Sequence, residues 1–221
     1  MTERAIAPTP VGVDPADLRM PPIGRGMRIG LFGGSFNPPH AGHLLVAEKA
    51  LRALRLDRVW WMVTPGNPLK DHGDLAPMGQ RIADSRALID DPRIVVTGFE
   101  AGHRVRYTAD TVDLVLARGR GARFVWVMGA DAMAGFHRWQ QWRGIVRKVP
   151  IAVVDRPGDT LAYLSSKLAI TYARSRLPEA EAARLALLRP PAWTFLHGPR
   201  SSLSSTALRA TGRGTGTVSG G

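Results

Sequence analysis

The sequence predicts an α/β protein with a Rossmann-like parallel sheet, covered by helices on both faces, in a single domain. Two observations carry this prediction. Short apolar runs typical of buried strands alternate along the chain with segments of helical apolar spacing, and such alternation forms right-handed βαβ units. The length of 221 residues, 44% of them hydrophobic, suits one domain with a sizeable core.

The elements are predicted in chain order from these patterns. An apolar run at 28–32 predicts the first strand, the turn-rich stretch 33–39 a loop, and apolar residues at Leu44, Ala47, Leu51 and Leu54 a helix over 41–55. Further strands are predicted at 58–64, 93–97, 123–128, 149–154 and 193–196, and helices at 77–90 and 108–118. The alanine-rich stretch 160–188, interrupted by Pro178, predicts two more helices.

The two ends differ from the rest in composition. Residues 1–26 contain five prolines and no sustained apolar periodicity, which predicts a disordered or loosely attached arm. Residues 212–221, rich in Gly, Ser and Thr, predict a flexible tail. The folded domain is therefore expected over 27–211.

Charge and cysteine content limit the functional classes. The net charge of +12 raises nucleic acid as a partner, but the basic residues are scattered without a run of five, which favours a solvated surface instead. The absence of cysteine favours a reducing cytoplasm. No apolar run approaches the roughly 20 residues that span a bilayer, so no membrane association is expected.

The stretch 33–43, G-G-S-F-N-P-P-H-A-G-H, lies between the first strand and the first helix. Backbone N–H groups and the positive end of a helix dipole meet there, which suits phosphate binding. It is neither a Walker A loop nor a G-x-G-x-x-G fingerprint. It also lacks the second glycine of a nucleophile elbow, which argues against Ser35 as a nucleophile.

This stretch resembles the signature of nucleotidyltransferases with an (H/T)-x-G-H motif, and nicotinate mononucleotide adenylyltransferases in particular. The resemblance implies His40 and His43 as catalytic residues and a phosphate-holding loop of Gly33, Gly34, Ser35 and Phe36. The simpler alternative is a tight turn followed by histidines that only cap a helix. A zinc pair is a weaker alternative, because no cysteine or H-E-x-x-H ligand set accompanies the histidines.

Three further stretches resemble phosphate-contacting segments of the same family. T-P-G-N-P-L-K at 64–70 implies that Lys70 faces the nucleotide phosphates, although a surface lysine on a turn would look the same. V-D-R-P-G at 154–158 replaces the first two residues of the family's C-R-R-P-G and implies a phosphate contact from Arg156. L-S-S-T-A-L-R at 203–209 implies a second anion site of Ser205, Thr206 and Arg209.

Two more stretches resemble the family's pyridine-binding segments. Y-T-A-D-T-V at 107–112 implies that Thr108 receives the substrate carboxylate at a helix N-terminus, with Arg106 where serine is common. The segment 128–139 implies that Asp131 contacts nucleotide hydroxyls or orients the loop, and that Trp139 stacks on the pyridine ring. Trp142 lies three residues on, and one of the two tryptophans is expected only to pack.

The resemblance implies transfer of AMP from ATP to nicotinate mononucleotide, giving nicotinate adenine dinucleotide and pyrophosphate, with Mg²⁺ bound mainly through ATP phosphates. ATP and nicotinate mononucleotide are the expected partners, nucleic acid is not favoured, and a homo-oligomer stays open. A pantetheine-phosphate or cytidylyl transferase is the enzymatic alternative. A non-catalytic nucleotide sensor and a basic nucleic-acid-binding protein are the alternatives from other classes.

Overall fold

A computed structural model of the protein describes residues 12–66, 75–155 and 165–197. Its strands form one sheet, made of β1 (Arg28–Gly34), β2 (Arg58–Val63), β3 (Ile94–Thr97), β4 (Arg123–Gly129), β5 (Ile151–Val154), β6 (Arg176–Leu177) and β7 (Trp193–Leu196). The strand order is β3-β2-β1-β4-β5-β7-β6, and every neighbouring pair is parallel. The predicted parallel sheet is confirmed.

Helices cover both faces of this sheet, as the sequence predicted. They are α1 (Ala41–Ala53), α2 (Met78–Leu88), α3 (Phe99–Gly102), α4 (Thr108–Arg118), α5 (Ala130–Gly135), α6 (Trp142–Lys148) and α7 (Lys167–Thr171), with 3₁₀ segments at Phe136–Arg138, Ala173–Ser175 and Glu179–Leu187. Successive strand residues point to opposite faces, so Trp60 of β2 packs in one apolar layer and Trp61 in the other. Because both faces are buried, the central strands are apolar apart from the arginines at which β1, β2 and β4 begin.

The sheet order places a switch point between β1 and β4. The chain first builds outward from β1 through β2 to β3, then returns to β4 on the other side of β1. The loops that leave β1 and β4 therefore diverge and open a crevice at the carboxyl ends of the strands, where ligands bind in open α/β sheets. None of the helices in the described part of the chain is long and apolar enough to cross a membrane.

The prediction of two helices over 160–188 was wrong for the residues that the structure describes. Only the short α7 is α-helical, and Arg176 and Leu177 form the edge strand β6 beside β7. The hydroxyl of Thr194 donates to the carbonyl of Leu177 at 2.9 Å, which fixes this edge. Pro178 then begins the 3₁₀ segment, so strand pairing and proline override the helix propensity of the alanines.

The proposed disordered arm needs a correction over residues 12–26, which pack as a strap against β3 and α3. Leu18 is buried, and the backbone N–H of Gly98 donates to the carbonyl of Asp17 at 2.8 Å. Asp17 also forms an ion pair with Arg86 of α2. A Cβ at Gly102 would lie 2.1 Å from the carbonyl oxygen of Leu18, so glycine is needed where the strap crosses α3.

We expect a chain that starts at Met27 to be less stable than one that starts at Gly12. The shorter chain exposes the apolar surface that Leu18 covers and loses the hydrogen bonds to Asp17. These losses together should lower the free energy of unfolding by about 3 kcal/mol. For a domain of this size that corresponds to a melting temperature lower by about 6–12 °C. Calorimetry on the two chains measures the difference, and equal melting temperatures would show that the strap contributes nothing.

Candidate active site

A cavity of about 340 Å³ opens at the switch point of the sheet. The end of β1 and the loop after it form one wall, from Gly33 to Phe36. The end of β4 and the start of α5 form another, with Met128, Gly129 and Asp131. His43 of α1, Thr108 of α4 and Trp139 also line the cavity. The sequence-predicted phosphate loop and pyridine-binding residues therefore lie around one space.

The two histidines of the motif take different positions at the start of α1. His40 is the N-cap, is buried, and accepts the backbone N–H of Gly42 on Nδ1 at 3.1 Å. An acceptor at Nδ1 leaves the proton of the neutral ring on Nε2. His43 lies one turn into the helix, with its ring centroid 3.7 Å from that of His40, and lines the cavity. The predicted capping role of a histidine thus belongs to His40, while His43 reaches the cavity wall.

An aromatic group below the loop holds His43 in place. Phe36 stacks on Trp61 with ring centroids 4.2 Å apart and contacts His43 edge-on at 5.1 Å. Phe36 has φ of +45°, a backbone conformation that non-glycine residues rarely adopt and that packing must maintain. A Cβ at Gly34 would lie 3.0 Å from the Phe36 ring, so a larger residue there would push against this group.

The N-terminus of α4 presents Thr108 to the opposite side of the cavity. Tyr107 is the N-cap, and its side chain makes no capping hydrogen bond. Thr108 is therefore the first helical residue of α4. Arg106 lines the same cavity, with its guanidinium 5.7 Å from the centroid of the Tyr107 ring. Backbone donors, a helix dipole and one arginine thus gather at this end.

The structure distinguishes the two tryptophans that follow β4. Trp139 is half-buried, lines the cavity and packs edge-on against Trp126 at 6.1 Å. Trp142 is buried between Phe136 and Tyr172 and lies outside the cavity lining. Asp131 is exposed at the cavity edge, in the first turn of α5.

Five predicted phosphate contacts lie outside the described residues. They are Lys70, Arg156, Ser205, Thr206 and Arg209. Their roles remain predictions.

Arg81 of α2 was not anticipated from the sequence. Its side chain is almost completely buried and donates to three backbone carbonyls: those of Ser35 at 2.6 Å, Thr64 at 2.9 Å and Ala76 at 2.9 Å. Burial lowers the pKa of Arg81 from its ordinary value, but a guanidinium stays protonated in proteins. It therefore ties the loops after β1 and β2 to the start of α2 and places a positive charge beneath the loop that the sequence predicts to hold phosphate.

A signal for Arg81 was present in the sequence. The buried positions of α2 are Met78, Arg81, Ile82 and Ser85, which follow the spacing of one helix face. A charged residue on the apolar face of a helix is an anomaly that indicates a buried polar role.

Glu100 is the second residue that the sequence did not indicate. It lies in α3, is 6% exposed and lines the cavity. Burial raises the pKa of its carboxyl group to about 7, opposed by a hydrogen bond from Thr111. Its position after a strand end was the only sequence signal available.

Comparison with known proteins agrees with this geometry. A protein of Mesorhizobium japonicum is 60% identical over 195 residues, which cover 88% of this chain and all of that protein. A protein of Rhizobium meliloti is 63% identical over 184 residues, which cover 83% of this chain and 98% of that protein. Both are named probable nicotinate-nucleotide adenylyltransferase. The chain belongs to the nicotinate-nucleotide adenylyltransferase family. The broader cytidylyltransferase-like family matches residues 31–211, so the motif at 33–43 lies inside the match.

The fold of this adenylyltransferase family member is also found in distant solved structures. Nicotinic acid mononucleotide adenylyltransferase of Plasmodium falciparum, solved in complex with NaAD, has a TM-score of 0.62 at 16% identity, and the match covers 83% of each chain. At this identity the likeness concerns the fold alone. It supports the Rossmann-like sheet as the common framework.

Proposed function

We propose that this protein transfers AMP from ATP to nicotinate mononucleotide, giving nicotinate adenine dinucleotide and pyrophosphate. The observation that carries the proposal is the single cavity between the phosphate loop with His43 and the α4 N-terminus with Trp139. One end offers cationic and N–H donors for phosphate, and the other offers a flat ring and donors for a carboxylate. Its close relatives carry the name of this activity.

The reaction requires positioning and charge stabilisation more than a protein nucleophile. An oxygen of the mononucleotide phosphate attacks the α-phosphorus of ATP, and the bond from that phosphorus to the bridging oxygen of the β-phosphate breaks. The bond electrons leave with pyrophosphate. In this proposal His40 and His43 stabilise charge on the α-phosphate, and the backbone N–H groups of Gly34–Phe36 hold phosphate oxygens.

The pyridine end determines which mononucleotide is accepted. Thr108 is proposed to receive the nicotinate carboxylate through its N–H group and the helix dipole, and Trp139 to stack on the ring. Asp131 is proposed to contact nucleotide hydroxyls from the edge of the cavity. Lys70, Arg156, Ser205, Thr206 and Arg209 are proposed to hold ATP phosphates, including the leaving pyrophosphate.

Magnesium is proposed to enter with the nucleotide. Among residues 12–66, 75–155 and 165–197, no three histidine or acidic side chains gather in a way that could hold a metal ion. The described donors in the cavity are mostly cations and backbone N–H groups, which suit the phosphates and not the metal. Mg²⁺ bound through ATP phosphates and water would supply charge neutralisation on the leaving pyrophosphate.

We expect a preference for nicotinate over nicotinamide mononucleotide of about 100-fold or greater in kcat/KM. The carboxylate is attracted to the N–H donors and dipole of α4, whereas an amide directs its own N–H₂ group toward those donors. Pyrophosphate release is measured with each mononucleotide at identical ATP and Mg²⁺ concentrations. Equal efficiency, or a preference for the amide, would contradict the substrate assignment while leaving adenylyl transfer intact.

Two variants separate the contacts behind this preference. Thr108→Pro removes one N–H at the first helical position, where proline is tolerated, and Tyr107 already has the extended conformation that a following proline requires. It should reduce kcat/KM for the acid more than for the amide. Trp139→Ala should weaken the binding of both substrates equally, because stacking does not distinguish the two rings.

The alternative transferase is tested with a different acceptor. Pyrophosphate release with 4′-phosphopantetheine instead of either mononucleotide would favour that alternative.

A further inference from the structure

Glu100 is a buried acid placed close to the helix end that is proposed to bind a carboxylate. It lines the cavity together with Arg106, Tyr107 and Thr108. Among the described residues, none forms an ion pair with Glu100, although its side chain is 94% buried. A buried carboxylate without a cation is costly, and neutralisation by a proton is the ordinary solution.

A hydrogen-bond chain connects Glu100 to the first turn of α4. The hydroxyl oxygen of Thr111 lies 2.6 Å from Oε1 of Glu100 and 3.3 Å from the carbonyl oxygen of Tyr107. A hydroxyl has one proton and can donate to only one of these two acceptors. If Glu100 is protonated, it donates to Thr111, which then donates to Tyr107, and both contacts are satisfied.

The carbonyl of Tyr107 belongs to the helix end itself. Tyr107 is the N-cap of α4, and its carbonyl accepts the backbone N–H groups of Asp110 at 3.0 Å and Thr111 at 3.1 Å. An additional donor from Thr111 therefore fixes the turn that presents Thr108 to the cavity. Ionised Glu100 withdraws that donor and adds a negative charge beside the same turn.

We propose that Glu100 is a positioning residue that takes up a proton when the acid mononucleotide binds, and that it thereby links acid selectivity to pH. The inference rests on the proposed function, because it needs a substrate carboxylate at the α4 N-terminus. Neutral Glu100 adds no charge beside the first turn of α4, which already contains Asp110, whereas ionised Glu100 adds a second negative charge that repels the incoming carboxylate. Nicotinamide mononucleotide lacks that charge and should not recruit the proton.

The direction of the pH effect follows from the carboxyl group. Its pKa in the free protein is about 7, and a bound carboxylate raises this pKa further. Affinity for the acid is therefore at its full value below pH 7 and should fall by up to about tenfold per pH unit above it, until the pKa of the complex is reached. Affinity for nicotinamide mononucleotide should not depend on the protonation of Glu100.

Other charged groups near Glu100 do not replace it in this role. Those that share the cavity, neighbour α3, lie in the first turn of α4 or face α3 from the strap are His43, His103, Arg104, Arg106, Tyr107, Asp110, Asp131, Arg138, Asp17 and Arg86. Asp17 and Arg86 are paired with each other, and the His103 ring contacts the carbonyl of Phe99 and the Arg118 side chain. All of these groups are present in both the wild-type protein and a Glu100 variant, so a comparison of the two isolates Glu100.

The test counts the protons taken up on binding. Calorimetric titrations of the full chain at pH 8.5, in two buffers of different ionisation enthalpy, give this number for nicotinate and for nicotinamide mononucleotide. The substrate phosphate is common to both ligands and cancels in the difference. The wild-type protein should take up more protons with the acid than with the amide, by a difference of up to about one proton per molecule, and Glu100→Gln should show no such difference.

The outcomes separate this inference from the proposed function. Equal proton uptake for the acid and the amide in the wild-type protein, with both bound, would overturn the role of Glu100 alone. An acid-specific uptake that persists in Glu100→Gln would also overturn it. If Glu100→Gln does not fold, the wild-type protein alone decides the question. The difference in proton uptake between the two mononucleotides is then measured at pH 8.5 and at pH 5.5. At pH 5.5 Glu100 is already protonated in the free protein, so the inference requires the difference to disappear. Failure of both mononucleotides to bind would contradict the proposed function.

Discussion

Replacing His43 with alanine is expected to lower kcat by about 100-fold or more while the protein stays folded. His43 lines the cavity from the first turn of α1, and its ring is held against Phe36 and His40. A donor fixed in this way meets the charge that develops on the α-phosphate without reorganising. Alanine removes the donor and suits the helix, so the loss should appear in turnover and not in stability.

A matched control is the exposed His137, which lies outside the cavity lining. His137→Ala should leave turnover within about twofold of the wild-type value, since surface substitutions away from a site have small effects. Steady-state pyrophosphate release and thermal melting are measured on both variants. Near-normal turnover in a folded His43→Ala protein would contradict the catalytic assignment.

His40→Ala should differ in one respect. It should reduce turnover in the same way as His43→Ala, but it also removes the acceptor for the N–H of Gly42 at the helix N-terminus. Loss of such a cap costs about 1 kcal/mol. His40→Ala should therefore melt lower than His43→Ala.

Replacing Arg81 with methionine is expected to destabilise the protein by about 3 kcal/mol, which corresponds to a melting temperature lower by about 6–12 °C. Three carbonyl groups, those of Ser35, Thr64 and Ala76, lose their guanidinium donor. Relief from burying a charge offsets part of the loss. Because Ser35 belongs to the phosphate loop, the KM for ATP should also rise.

Two further variants test whether the guanidinium itself matters. Arg81→Lys keeps the charge but cannot reach three carbonyls with the same fork geometry, so its melting temperature should lie between the wild type and Arg81→Met. Arg52→Met removes an exposed arginine paired with Glu48 on α1, and such pairs contribute only about 0.3–0.5 kcal/mol. Equal melting temperatures for Arg81→Met and Arg52→Met would show that the buried contacts do not stabilise the loops.

The sequence predicted the elements whose signals are local. β7 and α4 have the predicted bounds, because apolar periodicity and short flanking turns define each one without help from distant residues. The phosphate loop was predicted for the same reason, since a strand, a glycine turn and a helix N-terminus follow one another directly in the chain. The parallel direction of the strands followed from the alternation of strands and helices.

The prediction failed where distant contacts decide the structure. Proline content in residues 12–26 suggested disorder, but bonds from Thr97 and Gly98 fix the strap in place. Alanines before Pro178 favour a helix, but pairing with Trp193 and Thr194 makes Arg176 and Leu177 a strand. Local propensity is weak compared with such contacts, which composition does not reveal.

The sequence by itself determined the family, the parallel character of the sheet and the strand, glycine-rich loop and helix over residues 28–53, because these depend on residues that are neighbours in the chain. Only the tertiary structure decided that Trp139 and not Trp142 lines the cavity, that Arg81 supports the phosphate loop, and that Glu100 lies beside α4. Each of these depends on burial, and burial depends on which elements pack together across the sheet. That packing sets the free-energy cost of burying a charged side chain and the hydrogen-bond partners that it finds. Both are therefore known only from the folded structure.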